Sequence, residues 1–128
     1  MSGRAISQGA ALRTWVLEFE GIPPGPNDSM SLRERMRTRK SWRVHGWLSA
    51  SRAGIPPLQR IRVSAVFVRR AVGVADEDND HARLKPILDG IVKAGVIPND
   101  TRKHVEWGDV TEKRGPRGLR LVIEAVEV

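Results

Sequence analysis

The sequence predicts an α/β domain of the α+β kind, a two-layer arrangement in which a mixed four-stranded sheet carries two main helices. Two observations predict it. Apolar and polar residues alternate with a period of two in four separate stretches, and two segments of helical spacing, bounded by glycine and proline, interrupt them in the order β, α, β, α, β, β. The 128 residues suit one domain with a modest core. That domain is taken as residues 13–128, after a small, polar and flexible arm over residues 1–12. There is no internal repeat and no interdomain linker.

The first strand follows from Trp15, Leu17 and Phe19 alternating with Val16, Glu18 and Glu20. The stretch GIPPGPNDSM ends it. Pro23, Pro24 and Pro26 fix φ and cannot donate to a ladder, so this loop is rigid. It serves either as a connector or as the lining of a functional site. Ser29 or Ser31 is the expected cap of a helix over about 31–52, and Ser31 with Glu34 three residues on has the form of a capping box. Leu32, Met36, Val44, Trp47, Leu48 and the stem of Lys40 are its expected core face, with Gly46 as a weak point. Ile61, Val63, Ala65 and Phe67 make the second strand. The second helix has Leu84, Leu88, Ile91 and Val92 as its core stripe. Pro86 is either a kink or its first regular residue, and Gly95 ends it. Val105 and Trp107 mark a third strand, and Leu119, Leu121 and Ile123 a fourth. The intervening EKRGPRG reads as a turn, so these last two strands are expected to form an antiparallel hairpin.

Lysine and arginine total 22 against 15 acids, a net charge of +7. Only five of the 22 are lysine. Arginine's planar fork of donors matches phosphate oxygens, so the balance points to nucleic acid. Arg33, Arg35, Arg37, Arg39, Lys40 and Arg43 on the first helix, with Arg69 and Arg70 after the second strand, are the expected DNA-binding residues. The absence of cysteine excludes disulfides, thiolate metal sites and cysteine nucleophiles. The N-terminal stretch lacks the apolar run of a signal peptide, and nothing approaches the roughly 20 apolar residues of a membrane span. A cytoplasmic location and no membrane partner are therefore expected.

Against this basic background, Asp76, Glu77, Asp78, Asn79 and Asp80 form an acidic island. Asp76 and Asp78, two apart on an extended segment, would point to one side and repel each other unless a cation lay between them. Such hard oxygen ligands suit Mg²⁺, with Mn²⁺ as the alternative. Asp78 and Asp80 form a second D-x-D of the same spacing. Asn79 or Asp80 would cap the following helix. Lys85 lies two turns beyond Asp78, Asp89 one turn beyond Lys85, and Asp100 arrives on the loop after the helix. His45, His81 and His104 are scattered, which argues against histidine-based catalysis.

The runs Asp76-Glu77-Asp78-Asn79, Lys85-Pro86-Ile87-Leu88-Asp89-Gly90 and Ala94-Gly95-Val96-Ile97-Pro98-Asn99-Asp100 keep order and spacing together. This pattern resembles the RusA family of Holliday-junction resolvases of phages and prophages. The loop Ile22-Pro23-Pro24-Gly25-Pro26-Asn27 is similar to that family's N-terminal proline loop, and the resemblance spans roughly residues 15–126. Two positions depart from the pattern: Asp80 stands where the family often has leucine, and Asn99-Asp100 where it often has an acidic pair. The resemblance implies a RusA-like fold and a Mg²⁺-dependent endodeoxyribonuclease that resolves four-way junctions. It further implies Asp76, Asp78 and Asp100 as metal-binding catalytic acids, Lys85 as an essential lysine, and a homodimer acting on branched DNA in a bacterial or phage-infected cell. The alternatives are a non-catalytic DNA-binding module of the same fold and a nuclease acting on flaps or forks.

Overall fold

A computed structural model describes residues 5–8, 12–73 and 77–127, with the backbone alone described for 5–8, 12, 77 and 78. The elements are β1 (Ala5–Gln8), β2 (Leu12–Glu20), α1 (Leu32–Ala53), β3 (Ile61–Arg69), α2 (Glu77–Lys93), β4 (Val105–Arg114) and β5 (Gly118–Ala125). The four predicted strands form a mixed sheet with two helices, as expected. The short β1 joins it at one edge, giving the order β1-β2-β5-β3-β4. Part of the expected N-terminal arm is thus a strand, its residues paired antiparallel with β2 from Ala5↔Trp15 to Gln8↔Leu12.

The expected hairpin of the last two strands does not form. β3 lies between them, parallel to β4 and antiparallel to β5. The reason is apolar content. β3 and β5 bury Ile61, Val63, Ala65, Phe67, Leu119, Leu121 and Ile123, and they pair with each other at the centre. β4 buries only Val105 among its ten residues and takes the edge, where charged side chains also discourage further pairing. The parallel pairing needs a crossover, and α2 supplies it.

The β3–β4 ladder slips between Val63 and Ala65, where Val63 faces Trp107 but Ala65 faces Val110. One extra residue is accommodated at Gly108-Asp109 opposite Ser64. A Cβ on Gly108 would lie 2.2 Å from the Ser64 hydroxyl oxygen, so a larger residue in the bulge would have to turn that hydroxyl aside. The slip moves Val110 and Glu112 onto the same side as Ala65 and Phe67, the side the helices cover. Without it, Glu112 would face away.

Both helices end in paired hydrogen bonds around a left-handed glycine. Gly54 (φ 69°) donates to Ser51 O and Ile55 to Ala50 O at the end of α1. Gly95 donates to Val92 O and Val96 to Ile91 O at the end of α2. Ser31 caps α1, its hydroxyl accepting from the Glu34 N–H at 3.1 Å.

The core face of α1 is not the predicted one. Leu32 and Met36 are 74% and 64% exposed, and Val44 and Trp47 also face solvent. The buried residues are Gly46, Ser49 and Ala50. The cause is the closeness of α2. A Cβ on Gly46 would fall 2.5 Å from the Ile87 carbonyl oxygen, and one on Gly90 2.1 Å from the Arg43 carbonyl oxygen. Two glycines meeting backbone to backbone make this crossing, so small residues line it and the large ones stay outside. Gly46 is therefore the contact point of α1. The predicted stripe of α2 does turn inward, with Leu84, Leu88 and Ile91 buried and joined by Ile87.

Gly46→Ala and Gly90→Ala are each expected to destabilise the protein by about 2 kcal/mol or more from overpacking, despite alanine's advantage of about 1 kcal/mol inside a helix. Urea denaturation checks this against Ser41→Ala, an exposed α1 change expected to stay within about 0.5 kcal/mol.

Candidate functional site

Three elements meet around the start of α2: the proline loop after β2, the first half of α1 and the end of β3. α2 begins at Glu77, earlier than the sequence suggested, so Asn79 and Asp80 belong to its first turns rather than capping it. Asp78 is likewise helical and not on an extended segment, so the expected strand-side geometry of Asp76 and Asp78 does not hold for Asp78. Three acids suit the positive end of a helix dipole, which explains the early start. Asp76 and the side chain of Asp78 lie outside the described residues.

Asp80 is buried, with 5% of its surface exposed. Arg69 reaches it with both terminal nitrogens, at 2.6 and 3.3 Å. Arg83 Nε lies 3.5 Å away. Arg69 also donates to Glu112 at 3.2 Å, the carboxylate turned inward by the bulge, and its guanidinium sits 4.7 Å over the Phe67 ring. Arg69 is therefore held inside the protein and does not face solvent as the expected DNA contact. Arg70 is exposed.

Arg83, which nothing in the sequence sets apart from the other arginines, ties the proline loop to α2. It donates to the Pro23 carbonyl at 2.9 Å and to Asp28 at 3.1 Å. Arg35 holds the same loop from α1, donating to the carbonyls of Gly25 (3.1 Å) and Asp28 (2.6 Å). It too is committed to structure. The Arg83 guanidinium and the Gly25 N–H hold the Asp28 carboxyl below its ordinary value. A Cβ on Gly25 would lie within 3.1 Å of both Arg83 and Asn79, so any larger residue there would push on the side chains that hold the loop to α2. The proline loop is thus pinned to both helices as well as connecting β2 to α1.

Two of the predicted site residues, Lys85 and Asp100, meet. Lys85 Nζ donates to Asp89 at 2.8 Å and makes a short contact with Asp100, fifteen residues away. Asp100 first, and Asp89 second, hold the lysine protonated above its ordinary value of 10.5. The loop that delivers Asp100 is shaped by Asn99, whose side-chain oxygen accepts from the Thr101 N–H and hydroxyl at 3.1 and 2.6 Å. It is anchored at its other end by His104, buried with Nδ1 2.7 Å from the Gln59 carbonyl oxygen. His104 is structural.

Beside Lys85 lies a cleft of about 440 Å³ walled by Pro24, Pro26, Trp42 and Pro86, with Arg39 and His81 at its sides. Trp42 packs edge-on to Phe19 at 6.1 Å, and His81 edge-on to Trp107 at 4.7 Å. Of the other expected DNA contacts, Arg33, Arg37, Arg39 and Lys40 are exposed and Arg43 is half-buried. Among the described residues no three histidine, aspartate or glutamate side chains are grouped to hold a metal ion, and no helix is long and apolar enough to cross a membrane. No protein-family model matches this chain, and no curated protein matches it in sequence.

Asp80→Asn, which leaves Arg69 and Arg83 short of a buried carboxylate, is expected to cost about 3 kcal/mol, read from chemical denaturation. Asp28 carries a depressed folded-state pKa. Its contribution is present above the unfolded value of 3.8 and is lost as pH falls through the lower folded one. Stability of Asp28→Asn should accordingly fall less steeply than wild type on acidification below pH 3.8, measured by denaturation at stepped pH.

Proposed function

We propose that this chain is a metal-dependent endodeoxyribonuclease acting on branched DNA, with four-way junctions as the substrate and a RusA-like site built on Asp76, Asp78, Asp100 and Lys85. The observation that carries the reading is the meeting of Lys85 with Asp100 and Asp89 at the edge of a cationic cleft. A lysine and a loop acid this far apart in sequence are held on one another only because the Asn99 turn and the helix end bring the loop back. An exposed lysine–carboxylate pair adds little stability. Its placement next to the cleft favours a chemical role.

The donor set suits a hard cation. Carboxylate oxygens of Asp89 and Asp100 already surround one positive charge, the Lys85 ammonium. Asp100, with Asp76 and Asp78, would hold Mg²⁺ or Mn²⁺, and the bound ion would polarise the scissile phosphate and make an attacking water more acidic. Lys85 would place its ammonium against the charge that builds on the phosphate or leaving oxygen. Arg33, Arg37, Arg39, Lys40 and Arg70 would hold the arms by phosphate contacts and make binding salt-sensitive. Two symmetric nicks require two sites, which a homodimer with twofold symmetry supplies.

The test is a labelled four-way junction incubated with the purified protein and Mg²⁺ or EDTA. Paired cuts are expected with Mg²⁺ alone. Asp78→Asn, Asp100→Asn and Lys85→Ala should each lower the cleavage rate by about a hundredfold or more while junction binding persists. Binding without cleavage under Mg²⁺ or Mn²⁺ would instead make the chain a DNA-binding module. Equal cutting of flaps or linear duplex would remove the junction preference.

A further inference from the structure

The cleft beside Lys85 has three features that together resemble the parts of one ligand. Its walls are flat and largely apolar: Pro24, Pro26, Trp42 and Pro86. Arg39 stands at its side with no hydrogen bond or ion pair to any described residue, whereas the neighbouring Arg35 is committed to loop carbonyls. The third feature comes from Pro86, which lies inside α2 and has no N–H to donate. The carbonyl of Ala82, one turn earlier, therefore lacks its helical donor. Ala82 also lines the cleft. A carbonyl that has lost that donor can accept from another N–H.

We infer that this cleft is a binding site for a single unpaired nucleotide of a DNA strand, its base against Trp42 and the prolines, its phosphate on Arg39 and an exocyclic amine on the Ala82 carbonyl. A planar base suits the apolar walls, since aromatic side chains stack with any base. A phosphate suits an uncommitted guanidinium. The volume falls in the range of sites for one small ligand. The wall is preformed, because Arg35 and Arg83 fix the proline loop before anything binds, so little ordering is required of the protein. An amine acceptor favours cytosine, adenine or guanine over thymine. The inference rests on the reading of the chain as a protein of branched DNA, where strand exchange leaves bases near the branch that can unstack. It adds a pocket that would grip one of them beside Lys85.

The test uses the full chain in EDTA, where no cutting occurs. Amide and indole resonances are followed while dCMP, dTMP or deoxyribose 5-phosphate is added. dCMP is expected to shift the Trp42 indole and the amides around Ala82, and to bind more tightly than dTMP or the base-free sugar. Arg39→Ala should weaken dCMP about tenfold. Pro86→Ala restores the helical N–H to Ala82 and should bring dCMP to the level of dTMP. Its folding is checked by thermal melting, and Arg39→Ala, an exposed change, keeps the test decisive if Pro86→Ala fails to fold. A four-way junction carrying 5-iododeoxycytidine at the branch should crosslink under ultraviolet light to the Trp42 peptide. Shifts that are absent, or that are the same for dCMP and the base-free sugar, would overturn the site, as would a crosslink confined to residues outside the cleft. Junction cleavage without these responses removes the pocket and leaves the nuclease reading standing. Nucleotide binding and the crosslink without cleavage do the reverse.

Discussion

The buried carboxylate of Asp80 is the contact on which the arrangement of this protein depends. It sits in the first turns of α2 and is gripped by Arg69 from the end of β3. Arg83 lies beside it and extends the network to Asp28 and the Pro23 carbonyl of the proline loop. Glu112 closes the other side from β4. Sheet, crossover helix and loop are thus tied at one point. Buried ion pairs are poor sources of net stability, because removing charges from water costs about as much as pairing them returns. What such a network supplies is alignment. A half-satisfied member would be costly, so the four elements can pack in only one relation. The start of α2 is fixed by this, and with it the direction in which Lys85 leaves the helix.

The α1–α2 crossing supplies the second constraint. Gly46 and Gly90 let two backbones approach more closely than any side chain would permit. Trp42 and Arg39 then stand across from the start of α2, and the space between becomes the cleft. The same closeness leaves the large apolar residues of α1 on the outside. Trp47 is covered there by the Lys93 ammonium, 5.6 Å above its ring. Lys40, Arg43 and Lys93 line the groove that Val44 and Trp47 form, long stems against apolar surface with charged ends outward.

Much of this was legible in the sequence. Alternation located all four main strands, because one face of each is more buried than the other, if only partly so in β4, and a period of two reports that directly. Ser31, Gly95 and the proline loop marked their boundaries by chemistry that acts locally. Lys85 and Asp100 were each singled out by the family resemblance, but their contact with one another is visible only in the fold. What failed depended on contacts between distant parts. Helical periodicity shows that α1 has an apolar stripe but not that Gly46, one turn from Trp42, decides which side faces α2. The hairpin was inferred from a short connection, yet strand pairing follows apolar content, and β3 outcompetes β4 for β5. Arg69 and Arg83 look like any other arginine in a basic chain. Only the acids at Asp80, Asp28 and Glu112 distinguish them, and Glu112 reaches Arg69 solely because a one-residue bulge turns it inward.

The helix itself now separates the competing acidic pairs. On α2, Leu84 follows Asp80 by four residues, with Ile87 and Ile91 further along the same side, so Asp80 lies on the core stripe. Its burial between arginines is what that position requires, and it leaves Asp80 no freedom to serve as a ligand. Asp78 is two residues earlier, more than half a turn round. Its position falls in line with Ala82, Lys85 and Asp89, the stripe that borders the cleft and meets Asp100. One helical period therefore sets the two positions apart: Asp80 on the core side, where it aligns the fold, and Asp78 on the side of the helix that carries Lys85. The second D-x-D of the sequence, Asp78 with Asp80, has its two positions on different faces of one helix.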